Sequence, residues 1–175
     1  MKKIMIAVAI VCAAVMAQAA TAKWAGSNIY VPGSTTDKAS GYLVYFVQSS
    51  DYALADAQAS LADANIDFLD TYGVAGTAQA SGATAGTIGT SFGNAETVTG
   101  YLVILNSSTI DDATLAYITG EASKATGASG QQATLAFGSL IGTQDAANWA
   151  AVPEPTSGLL MLVGLAGLAL RRRRA

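Results

Sequence analysis

Two short stretches of this chain are apolar at almost every position and share their wording. Gly41–Gln48 reads GYLVYFVQ and Gly100–Leu105 reads GYLVIL. Both are too short for a helix and rich in the branched and aromatic residues that suit a pleated surface, so each predicts a buried strand. Between them the period changes. From Tyr52 to Leu69, apolar residues recur three and four apart at Leu54, Ala57, Leu61, Ala64 and Phe68, with Asp56, Asp63, Asp67 and Asp70 off that stripe. This predicts one amphipathic helix, with Ser49, Ser50 and Asp51 as its cap cluster. A second capped helix is expected over Ser107–Tyr117 (SSTIDDATLAY). Trp24–Val31 reads as a strand closed by the Pro32-Gly33 turn, and Gln131–Leu140 as a final strand. Residues 73–94 are mostly Gly, Ala, Thr and Ser. They fit an exposed loop or small-residue strands with tight turns, although 22 unstructured residues are long for a compact domain.

The wording from Ser40 (SGYLVYFVQSSDYALADA) returns from Thr99 (TGYLVILNSSTIDDATLAYI), which suggests two β-loop-α units about 59 residues apart. With both strands central and parallel, each helix would cover one sheet face. The expected architecture is one small α+β or α/β domain, with a sheet of four or more strands and two helices. The alternative is an all-β sandwich in which the Gly/Thr-rich middle supplies strands.

The two ends carry targeting patterns. Met1-Lys2-Lys3 precedes a 13-residue apolar run, Ile4–Met16, and then the small and polar residues of Ala17–Ala22. That order is a secretory signal peptide, and the run is too short for an ordinary spanning helix of about 20 residues. Small residues at the third and first positions before the cut allow a mature start at Ala20 or at Lys23; Lys23 is the expected one, giving a signal over 1–22 and a domain over 23–152. At the other end, Pro153-Glu154-Pro155 is followed by the uncharged stretch Thr156–Leu170 and by Arg171, Arg172, Arg173 and Arg174. Fifteen helical residues are about 22 Å long against about 30 Å of hydrocarbon, so spanning needs local thinning or snorkelling arginines. The arginine cluster should stay cytoplasmic, placing the chain before Pro153 on the far side of that membrane.

This tail resembles a PEP-CTERM sorting signal, a likeness that covers 23 of the 175 residues and concerns an address. The resemblance implies retention at the inner membrane until an exosortase cuts near the tripeptide, with the body then released to the cell surface or a polysaccharide matrix. It makes Pro153, Glu154 and Pro155 the recognition site, Thr156–Leu170 the retention helix and Arg171–Arg174 the stop. The partners expected are therefore signal peptidase, an exosortase-like enzyme, the inner membrane in passing, and exopolysaccharide.

Composition narrows the chemistry of the body. Residues 23–152 hold three lysines and eleven carboxylates, a formal charge of −8, which opposes nucleic-acid binding. The one cysteine, Cys12, lies in the signal region, so no disulfide is expected in the mature chain. Histidine is absent, which removes the commonest general base and most zinc sites. What remains is weak. Ser49-Ser50 and Ser107-Ser108 follow strands where an anion could sit on a helix N-terminus, but helix capping uses the same residues. Asp111-Asp112 and Asp67 with Asp70 could hold calcium or act as an acid–base pair, yet first-turn acids also serve the helix dipole. Tyr42, Tyr45, Tyr101, Trp24 and Trp149 are candidate sugar-stacking aromatics, although Tyr42 and Tyr101 begin strands that read as buried, and Trp149 is expected to pack its segment onto the body. No cofactor and no metal are expected. The functional expectation is an exported surface or matrix structural protein without catalytic activity; the alternative is a carbohydrate-binding or adhesion module.

Overall fold

The structure is a computed structural model, and it describes residues 20–92, 96–127 and 132–152. The signal region through Ala19 and the tail residues Pro153, Glu154, Pro155 and Arg171–Arg174 lie outside the described residues.

Nine strands among the described residues form two sheets. The smaller has β1 (Ala20–Ser27) at its centre, antiparallel to β4 (Thr84–Phe92) and parallel to β8 (Gln132–Ser139). The larger runs β3 (Gly73–Thr77), β2 (Leu43–Gln48), β5 (Thr97–Leu105), β6 (Leu115–Ile118), β9 (Ala150–Ala151), all antiparallel. The short β7 (Ala122–Ala125) continues along the same edge of β5 as β6. Thr119 bridges the gap between them, its backbone amide donating to the Leu102 carbonyl at 2.9 Å while its hydroxyl oxygen accepts the Leu102 amide at 2.9 Å. Two short helices, α1 (Leu54–Ala62) and α2 (Phe68–Tyr72), cover the outer face of the larger sheet.

Alternation along β2 and β5 builds both cores. Val44, Phe46, Val98, Leu102 and Ile104 point between the sheets and meet Trp24, Leu135 and Leu140. Val47, Tyr101, Val103 and Leu105 point the other way, against Leu61 and Phe68 with Leu69. Both strands are thus buried on both faces, which is why they read as unbroken apolar runs.

The expected α+β or α/β fold is overturned: the protein is mostly β, two sheets face to face with helices on one side. Unbroken apolar strands commonly mean a parallel sheet between helix layers. Here one of those layers is the second sheet. β2 and β5 are not parallel copies but antiparallel neighbours, Val44 opposite Ile104 and Val47 opposite Tyr101, and only the first is followed by a helix, so the β-loop-α duplication is not found.

Both helix expectations change with it. The periodic stretch over Tyr52–Leu69 is helical only over Leu54–Ala62 and from Phe68. Ala64 adopts φ 57°, its amide bonds Leu61 O at 3.0 Å and the Asn65 amide bonds Ser60 O at 2.8 Å. This is the Schellman stop, with Ala where Gly is usual. Ser107–Tyr117 forms no helix: the Asn106 side-chain oxygen accepts the Thr114 and Leu115 amides at 3.0 and 2.8 Å and turns the chain into β6. A hairpin that buries Ala116 against β5 outcompetes one exposed helical turn.

The Gly-rich middle forms β3 and β4, as the sandwich alternative anticipated. Its small residues answer to Trp24, which is fully buried. A Cβ on Gly76 would stand 2.7 Å from the indole and one on Gly86 2.6 Å from it.

Gly76→Ala and Gly86→Ala should therefore each lower stability by about 1–3 kcal/mol through overpacking. Gly120→Ala, with nothing within 4 Å of its added methyl among the described residues, should change it by less than about 0.5 kcal/mol. Denaturant midpoints measure the three, and equal effects would sink this account of the glycines. Ala64→Gly should act in the opposite sense, raising stability by about 1 kcal/mol through relief of the left-handed alanine. A lower midpoint for that variant would show that the Ala64 turn is unstrained.

Candidate functional site

The two serine pairs do not share an edge. Because β2 and β5 run antiparallel, Ser49 lies beside Thr99 and Ser107 beside Leu43, at opposite ends of the sheet. Neither pair caps a helix: the N-cap of α1 is Ala53, Ser49 donates its hydroxyl to Glu121 Oε1 at 2.6 Å, and Ser107 Oγ accepts the Thr109 amide at 3.2 Å. The anion-site and capping expectations both lose their premise.

The aromatics divide as well. Tyr42 packs with the inter-sheet core, whereas Tyr45 and Tyr101 lie on the helix side of the same sheet. Tyr101 is fully buried and its hydroxyl donates to Tyr52 O at 3.0 Å; burial first, then Tyr52, Asp56 and Glu121, raises its pKa. Trp24 and Trp149 are buried too. Exposed aromatic surface occurs instead at Tyr72, whose ring stacks on Tyr52 with centroids 5.3 Å apart.

The acids do converge. Asp67, Asp70 and Asp111 line one cleft of about 280 Å³ with Ile66, Ile110 and Val152. Asp67 caps α2 without a side-chain cap bond, and its amide is held by Asn65 Oδ1 at 2.8 Å. Among the described residues no group of three or more acids gathers closely enough to hold a metal ion. Asp112 receives the Thr109 hydroxyl instead.

Val152 gives that cleft its interest, because it is the last described residue before Pro153. The chain reaches it through a chain of specific contacts. Trp149 is 7 % exposed, and its indole N–H donates to Thr143 O at 2.9 Å. The ring meets Tyr42 edge-on at 6.4 Å and Tyr117 at 5.6 Å; burial raises the pKa of both tyrosines. Thr143 is itself fully buried, its hydroxyl donating to Leu140 O at 2.7 Å and accepting the Tyr30 amide at 2.9 Å. Then β9 pairs Ala150 with Ala116 and Ala151 with Leu115. Finally the Val152 amide donates to Thr114 O at 2.8 Å while its side chain is buried beside the helix-side core. The sequence marked Trp149 as packing; it carried no sign of Thr143 or Asn106, whose roles arise from partners distant along the chain.

Residues 151–174 match the PEP-CTERM protein-sorting motif. Comparison with curated proteins and with solved structures yields no match. The motif marks the chain as an exported protein processed by an exosortase, anchored at the membrane during that processing and then delivered to the surface. It begins inside β9, so address and folded body share residues 151 and 152. Among the described residues no helix is long and apolar enough to cross a membrane; the expected retention stretch, Thr156–Leu170, lies outside them.

Trp149→Ala should cost about 3–5 kcal/mol, the range for removing a buried large aromatic. It should also free the Val152 amide to exchange with solvent faster than the amides of β2 and β5. Hydrogen-exchange mass spectrometry reads both, and an equal acceleration everywhere would show that Trp149 does not hold the exit locally.

Proposed function

We propose that this chain is a structural protein of the cell surface or extracellular matrix, without catalytic activity, presented first at the membrane and then released. The observation that carries this reading is the start of the sorting motif within a paired edge strand, which makes the compact sandwich itself the delivered cargo. Pro153, Glu154 and Pro155 serve as the recognition tripeptide, Thr156–Leu170 as the retention helix and Arg171–Arg174 as the cytoplasmic stop. The histidine-free composition of the body, which removes the commonest general base, supports a role that needs no proton-transfer centre. A carbohydrate-binding module is the weaker reading, because the aromatics it called on are buried or divided between two faces.

In a host with its exosortase, the body should accumulate outside the inner membrane; in a strain lacking that enzyme, it should stay membrane-bound at full mass. Cell fractionation with intact-mass analysis reads the outcome, and equal release from both strains would defeat the sorting roles. The released body should bind no member of a glycan array. Specific retention of one sugar class would replace the structural reading with the binding one.

A further inference from the structure

The small-residue rule leaves two candidate cuts at the N-terminus, before Ala20 (Ala17 with Ala19) or before Lys23 (Ala20 with Ala22). The sheet separates them. β1 begins at Ala20 and is the middle strand of its sheet, between β4 and β8. Ala20 pairs with Phe92, Thr21 with Gln132, and Ala22 with both Gly89 and Ala133. Ala20 and Ala22 are fully buried, on the same face of the strand as Trp24.

A cut before Lys23 removes three of the eight residues of β1. It strips Phe92 and Gly89 of β4 and Gln132 and Ala133 of β8 of their partners, and places a charged chain end one residue from the buried Trp24. Backbone groups left unpaired are costly. A cut before Ala20 keeps all eight described residues of β1. The peptidase meets the chain extended during translocation, so burial shields neither bond; what the fold decides is which product completes it.

We infer that signal peptidase cuts this chain between Ala19 and Ala20, so that the exported protein begins with the whole of β1. Hydrolysis of the Ala19–Ala20 peptide bond takes up one water and leaves a carboxylate on Ala19 and an ammonium on Ala20. The inference rests on the export reading of the chain. It departs from the expectation that the mature chain starts at Lys23, because Ala20–Ala22 belong to the sheet.

The test is N-terminal sequencing of the full-length chain after export from a host strain without exosortase, which keeps the C-terminal end constant. The expected first residue is Ala20. A first residue of Lys23 overturns the inference and leaves the export reading standing, whereas uncut protein beginning at Met1 defeats the export reading and the inference with it. In Ala19→Leu, which spoils only the upstream site and leaves cutting to the site before Lys23, the yield of protease-resistant protein should fall by about ten-fold. A wild-type yield of protein starting at Lys23, equally protease-resistant, would show that Ala20–Ala22 are dispensable and would overturn the inference.

Discussion

The burial of one indole organises this fold. Trp24 lies on the central strand of the smaller sheet and points into the space between the sheets. Burying a ring of that size removes about 150–250 Å² from water, which at about 25 cal/mol per Å² contributes roughly 4–6 kcal/mol. Its Nε1 is buried without a hydrogen-bond partner among the described residues, at a cost of about 1–3 kcal/mol. Burial wins, but only if the backbone can close on both sides of the ring. Gly76 and Gly86 permit that approach, and their positions on β3 and β4 bring the edges of both sheets to the same residue.

Around this contact the larger sheet has to be apolar on both faces. Phe46 reaches across to β5, where Gly100 leaves room for its ring, while Val47 and Tyr101 turn toward the helices. The helices are short because they only cover: α1 buries Ala57 and Leu61, and α2 buries Phe68 and Leu69. Tyr52 closes that cover by stacking on Phe68 at 4.8 Å and sharing its hydroxyl with Ser60.

The exit of the chain depends on the same sandwich. Trp149 packs on Tyr42 and Tyr117, and Tyr42 stands immediately before β2. The last paired residues of the body are thereby tied to its central sheet, and the processing segment starts without an intervening linker. On the C-terminal side, the paired strand β9 ends at Ala151, two residues before the tripeptide.

Much of this was legible in the residues themselves. The address at the C-terminal end rests on local order and composition, and a machine that reads extended chain needs nothing more. The strands β2, β5 and β8 were legible because residues buried on a pleated surface must be branched, aromatic or long. The direction of pairing was not, since an apolar run looks the same whether a helix layer or a second sheet covers it. The breaks were hidden for a related reason: Ala64 adopts a glycine's conformation because Leu61, Phe68 and Leu69 are all held against the sheet. The loop after β5 becomes a hairpin because the Asn106 side chain captures two amides eight and nine residues away. Pattern along the chain determined which residues had to leave water and where the chain is addressed. Only the tertiary structure decided what they meet there, because a partner's distance along the chain leaves no mark on the period of the residues that contact it.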